Sequence, residues 1–323
     1  MILNMNKIAF ITIYFGEKPK FLKYFLQTAK NNVDYDFYIL SDWDSLPINS
    51  ENIFHKPLLI DEFSNFAIEK GILNKKLENP YKLCDLKPAW FHIIEDFLDT
   101  SSYNFIGYID IDLILGNLNS FITAQKLEKY DILTISPNFM SGVMTLFKNN
   151  QRNKLLYRSD ESWKYIFNHP DSFAFDEDFS FRKQILKNHP SGLKSFSDIV
   201  AKEEKEGLRV FHGKLVSYGL EDEIISYYSG SLLNNLGKEY ILYNFVYVKH
   251  NFLWYFPNWN FLPEKFYINK FGFYRKKYLP IKRYNFFCTP PYCIQTFQKI
   301  YHKKHRFLYH LKHNSLLTVF KSL

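Results

Sequence analysis

The strongest constraint on the fold is an alternation running through the first half of the chain, in which strand-like apolar runs take turns with stretches of helical period. "KIAFITIYF" (7–15) is β-branched and aromatic. "KFLKYFLQTAKNN" (20–32) follows, with Phe21, Leu22, Phe25, Leu26 and Ala29 at helical spacing. "DFYILSD" (36–42) and "ENIFHKPL" (51–58) read as the next strands. "PAWFHIIEDFLD" (88–99) opens with proline, which suits a first helical turn. "NFIGYIDIDLIL" (104–115), "DILTIS" (131–136) and "GVMTLFK" (142–148) are further strands. β-α-β-α order at this spacing predicts an α/β fold with a mostly parallel sheet and flanking helices. Ligands of such sheets bind beyond the carboxyl ends of the strands.

Beyond residue 150 the pattern is helical and polar to about 205. "LRVFHGKLVSYG" (208–219) and "KEYILYNFVYVKHNFLWYF" (238–256) are strand-like again. The net charge of +8 conceals a partition: residues 265–323 carry ten Lys and three Arg with no Asp or Glu, so residues 1–264 are net −5. This split predicts a domain at 1–260 and a basic aromatic extension at 261–323. From residue 293 the extension sets Ile294, Phe297, Tyr301, Leu308 and Leu311 at helical spacing, with cations between them. Rings mixed with cations suit an anionic membrane surface. A solvated helix face packed on the core is the plain alternative, and single-stranded nucleic acid is the least favoured partner. Three cysteines in no disulfide or zinc spacing, and an N-terminus without signal-peptide features, predict a cytoplasmic protein, peripheral at most on the inner membrane face. No Gly-rich phosphate loop is present, which argues against NTPase and dehydrogenase chemistry.

Asp110 and Asp112 interrupt an apolar run. In a continuous strand they would share one face, where two carboxylates repel and are costly to desolvate. Mg²⁺ or Mn²⁺ would resolve the conflict, since these ions take carboxylates together with substrate phosphates. The plain alternative ends the strand near Ile109 and leaves both aspartates as solvated loop residues.

"PYKLCDLKPAW" (80–90) followed by "GYIDIDLILGNL" (107–118) resembles bacterial glycosyltransferases of the GT-A fold, a Rossmann-like architecture. The similarity is greatest to a family known mainly as a domain of unknown function, whose hallmark is these two runs, and it spans roughly residues 7 to 255. The resemblance implies a nucleotide-sugar donor and a divalent metal held by Asp110 and Asp112. "FMSGVMTLFKNN" (139–150) is similar to a strand of retaining UDP-sugar enzymes, where an Asp-Gln-Asp segment comes next. The matching run here is "FDEDF". By that likeness Asp176 would hold sugar hydroxyls and Glu177 would face the anomeric carbon. A Glu in place of Gln can serve as nucleophile or base and leaves retention versus inversion open. A solvated acidic helix start is the alternative.

The resemblance also implies a third metal ligand, a late histidine: His250 is preferred over His212. It further implies nucleotide contacts from Tyr14, Gly16 and Asp42 at the ends of the first two strands. Lys82, Asp85 and Lys87 would touch ribose, sugar or phosphate, with Asp110 sharing the donor. Each lysine has a surface-charge alternative, and Lys87 with Pro88 can simply start a helix. The expected function is metal-dependent transfer of a sugar, UDP-linked, to a glycan or lipid-linked glycan acceptor in bacterial surface polysaccharide or lipooligosaccharide synthesis. The alternatives are a non-catalytic glycan- or membrane-binding protein on the same fold and a nucleotidyltransferase.

Overall fold

The computed structural model describes residues 7–179, 186, 188–213, 216–217, 224–246, 254–269 and 272–276. The expected tail helix from residue 293 lies outside these, as does His250.

The fold is α/β, with a mostly parallel central sheet. Its strands in chain order are β1 (Ile8–Tyr14), β2 (Tyr35–Ser41), β3 (Ile53–Pro57) and β4 (Phe105–Ile109). After the short β5 (Leu113–Leu115), β6 (Ile132–Thr134), β7 (Met144–Lys148) and β8 (Val210–His212) complete it. The spatial order is β3-β2-β1-β4-β7-β6-β8. β3, β2, β1 and β4 run parallel, β7 is antiparallel to both neighbours, and β6 and β8 are parallel. The chain winds outward from β1 to β3 and returns on the other side of β1 as β4. The β1/β4 junction is therefore the point where the winding reverses, the place where such sheets bind ligands.

The apolar continuity of β1 has a direct cause. Ile8 and Phe10 enter one core with Phe25 and Leu26 of helix α1 (Leu22–Lys30), while Ala9, Ile11 and Ile13 enter another with Phe63, Trp90 and Tyr108. A strand covered on both faces has no polar alternation to show.

Three sequence expectations change in detail. The 104–115 run is not one strand: β4 stops at Ile109, Asp110 to Asp112 form a bend, and β5 leaves for a three-stranded sheet with β9 (Val216–Ser217) and β13 (Leu242–Asn244). The helix expected over 88–99 is a 3-10 turn, Lys87–Ala89, followed by one α-turn, Trp90–Ile93. Trp90, Phe91, Ile93 and Ile94 are all buried, while His92, Glu95 and Asp96 lie toward solvent. The 238–256 run contains β12 (Glu239–Tyr240) and β13, which belong to different sheets.

β12 joins a five-stranded sheet with β10 (Ile225–Tyr228), β11 (Ser231–Leu233), β14 (Lys265–Asn269) and β15 (Gly272–Tyr274), in the order β12-β11-β10-β14-β15. The boundary expected at 260/261 falls within this sheet. The segment before β14 is fastened to α1. Tyr24 Oη donates to Pro257 O (2.7 Å), Lys23 Nζ to Trp259 O (2.9 Å) and Gln27 Nε2 to Asn260 O (3.3 Å), and the Leu262 N–H donates to Gln27 Oε1. Among the described residues no helix is long and apolar enough to cross a membrane.

Candidate functional site

The carboxyl ends of β2, β1 and β4 lie side by side, and Tyr14, Gly16, Asp42 and Asp110 lie at or just beyond them. Beyond β1, Gly16 sits at φ +105°, a conformation open to glycine at little cost. Its N–H donates to both carboxylate oxygens of Asp42 (3.0 Å each), and its carbonyl accepts the Trp43 indole N–H (2.7 Å). Tyr14 packs its ring 5.3 Å from that of Trp43. The ends of β1 and β2 thus form one unit with aromatic faces, and the Asp42 carboxylate is exposed.

Beyond β4 lies a denser cluster. Thr12 of β1 donates to Ile109 O (2.5 Å), and the Asp110 N–H donates to Val143 O (2.9 Å), which fixes the bend. Asp110 is 31% exposed on its side chain, while Asp112 is buried at 6%. Lys87, delivered by the 3-10 turn, reaches in from the side. Its Nζ lies 2.8 Å from Asp110 Oδ1 and 3.3 Å from Asp176 Oδ2, and donates to Gly142 O at 2.6 Å. An ammonium has three donors, and three acceptors surround this one. Burial opposes its charge, but Asp110 and Asp176 outweigh that and hold Lys87 well above the ordinary lysine range. Burial pushes the Asp176 carboxyl well above the usual carboxylate range; Lys87 offsets part of this, while Glu177, Asp85 and Asp110 add to it.

Gly142 is the close-packed point of the cluster. Its N–H donates to Glu177 Oε1 (3.2 Å), and a Cβ built on it would lie 2.1 Å from Asp176 Oδ2. The "SGV" of the sequence is glycine because a carboxylate occupies the space of a side chain.

The loop carrying Asp176 and Glu177 is held from beneath by Asp85. This fully buried carboxylate accepts the N–H groups of Phe173 (3.0 and 3.1 Å) and Phe175 (2.8 Å), and pairs with Lys82 Nζ at 2.8 Å. Lys82 also donates to Asp171 O (2.7 Å). Between the two N–H groups Ala174 adopts φ +56°, unusual for a residue with a side chain. Asp85 and Lys82 thus bond to each other and to the loop's backbone.

The donor set near Asp110 suits a hard dication. Asp110, Asp112, Asp176 and Glu177 offer only oxygen ligands, and Lys87 contacts two of them, Asp110 and Asp176. Of the two candidate histidines, His212 lies on β8 with its Nε2 3.5 Å from Glu204 Oε1, and β8 is three strands across from β4, about 14 Å at ordinary strand spacing. That distance removes it from the Asp110 cluster.

The sequence profile of the Family of unknown function (DUF6625) matches residues 10–255, a span containing this whole cluster. The chain belongs to this family. No curated protein matches it. A solved glycosyltransferase involved in the glycosylation of the major capsid of PBCV-1 is similar over 74% of this chain and 93% of its own, at 10% identity and a TM-score of 0.34. At that level the likeness says nothing about chemistry.

In this DUF6625 member two site residues escaped the sequence reading. Trp43 follows Asp42 directly at a strand end, and that adjacency was the available signal. Gly142 was noticed only as part of a motif; its contacts with Lys87 and Glu177 are long-range. Cys84 borders the cluster, and burial pushes its thiol up to about 12 against the pull of Lys87. A groove of about 540 Å³ lies elsewhere, between α1 and residues 259–264, and no residue of the carboxylate cluster lines it.

Proposed function

We propose that the protein is a glycosyltransferase that moves a sugar from a nucleotide-diphosphate donor, UDP-linked, to a glycan acceptor. One observation carries the reading: at the point where the sheet's winding reverses, an aromatic and glycine unit (Tyr14, Gly16, Asp42, Trp43) adjoins a carboxylate-rich cluster built around buried Lys87. The first suits a nucleoside, with rings for the base and an exposed carboxylate for ribose hydroxyls. The second suits the diphosphate and sugar.

Asp110 and Asp112 would hold Mn²⁺ or Mg²⁺, with His250 as the expected third ligand. When bound, the ion would offset charge on the departing diphosphate. Lys87, with its three donors engaged, positions Asp110 and Asp176. Asp176, whose carboxyl burial pushes above the usual range, is assigned to the sugar hydroxyls. Glu177, oriented by the Gly142 N–H, is the carboxylate assigned to the reacting carbon. The acceptor implied by the resemblance is a surface glycan, and the basic aromatic extension would dock on an anionic membrane at the inner face. Deleting 293–323 should abolish sedimentation with anionic liposomes; retained sedimentation refutes the docking.

The decisive experiment is a thermal-shift panel of sugar nucleotides with and without Mn²⁺, followed by turnover of any stabilising donor. A Mn²⁺-dependent shift with one UDP-sugar is expected. Stabilisation by nucleoside triphosphates in preference to every sugar nucleotide would overturn the reading.

A further inference from the structure

Below the loop that carries Asp176 lies a second group of ligating side chains. His169, Asp171 and His189 each offer one ligand atom, all within 4.8 Å of one another. His189 Nε2 is 3.7 Å and His169 Nδ1 3.9 Å from Asp171 Oδ2. Zinc bonds of about 2.0–2.2 Å in a tetrahedron set ligand atoms about 3.4 Å apart, so the two contacts to Asp171 lie a few tenths of an ångström from coordination spacing.

The surroundings match what such a site requires. Tyr165 Oη lies 3.0 Å from His189 Nδ1, the outer partner that fixes a ligating imidazole and leaves Nε2 to the metal. His169 Nδ1 accepts the Asp171 N–H (3.1 Å), so its lone pair already faces the Asp171 side, and coordination would exchange that hydrogen bond for a metal bond. Phe173 walls the inner side, its ring 4.7 Å from His189 and 5.5 Å from His169. The Asp171 side chain is 60% exposed, which leaves a route for entry and a position for solvent. Two imidazoles with one carboxylate favour a borderline-soft ion over Mg²⁺.

We propose that His169, Asp171 and His189 bind a zinc-class dication, with water in the open position, at a site separate from the Asp110–Asp112 pair. Its structural consequence runs along the chain. The Asp171 carbonyl accepts from Lys82, Lys82 pairs with Asp85, and Asp85 holds the Phe173 and Phe175 N–H groups just before Asp176. An ion at Asp171 therefore pins the base of the acidic loop. The assignment stands apart from the sugar-donor reading, because it is read by metal binding rather than turnover.

Co²⁺ titration of the full-length chain tests it, followed by visible absorption. One equivalent with an intense, low-coordinate spectrum is expected. Asp110→Asn/Asp112→Asn should keep that spectrum. His189→Gln and Asp171→Asn should weaken binding more than about tenfold, and Tyr165→Phe roughly tenfold. Asp171 is exposed, so its variant is the least exposed to misfolding, and far-UV circular dichroism checks each one. Absence of the spectrum, its loss in the Asp110/Asp112 variant, or unchanged affinity in folded Asp171→Asn overturns the proposal.

Discussion

Lys87 Nζ stands 2.8 Å from Asp110 Oδ1 and 3.3 Å from Asp176 Oδ2, so a single buried ammonium ties the bend after β4 to the acidic loop. Removing it would leave those carboxylates facing one another. Lys87→Met should destabilise the fold by about 3 kcal/mol, the lower end for a broken buried pair because Asp110 is partly exposed. Urea unfolding measures this. Lys87→Arg should not restore turnover, since a planar fork cannot reproduce the three-acceptor geometry.

Asp110→Asn and Asp112→Asn should each lower sugar transfer by at least about a hundredfold, the scale of losing a charge-stabilising group. The melting temperature should move by only a few degrees. Unchanged turnover of either variant with Mn²⁺ would sink the metal assignment.

Gly142→Ala places a methyl group where Asp176 Oδ2 lies. The loop must shift, at a cost of about 1–3 kcal/mol typical of overpacking, and Glu177 loses the alignment given by the Gly142 N–H. The expected result is a folded chain with little transfer activity, read by thermal melting beside a donor assay.

Asp85→Asn separates two roles. If Asp85 serves the loop, the variant loses about 3–5 kcal/mol, because Lys82 is left buried without its counter-charge. Limited proteolysis should then cut within 171–178. A ligand contact would instead raise the donor KM with no change in unfolding.

His55 and His92 are both held below the ordinary histidine value, in each case first by burial and next by a nearby cation, Lys18 and Arg158 respectively. A group with a lowered folded pKa contributes stability above its unfolded value and loses it as pH falls through the folded one. The contribution of these two groups to the urea midpoint should therefore fall as pH drops from about 7 to 5. His92→Gln should flatten part of that fall.

The alternation in the first half carried the fold to the reader because β1, β2 and β4 are covered on both faces and helices fill the gaps. The same chemistry hid the rest. In 238–256 aromatics are so dense that no pattern distinguishes β12 from β13, which differ only in the partner strand each finds. Asp110 and Asp112 were visible as an anomaly, since carboxylates in an apolar run need a reason. Their link to Asp176 through Lys87 was not, because period and composition describe local structure and this contact is long-range. For Asp85 the resemblance implies a ligand contact; the backbone N–H groups that surround it come from residues 88 and 90 positions away, beyond the reach of local pattern.

The fastening of α1 to residues 257–262 joins parts of the chain 233 residues apart. On the ribosome, at roughly 5–20 residues per second, the face of α1 that carries Tyr24 emerges on the order of ten to fifty seconds before its cover is made. Helix α1 is thus completed by residues made long after it. A nascent chain will hold that aromatic surface open through this interval, a window in which chaperones have reason to bind.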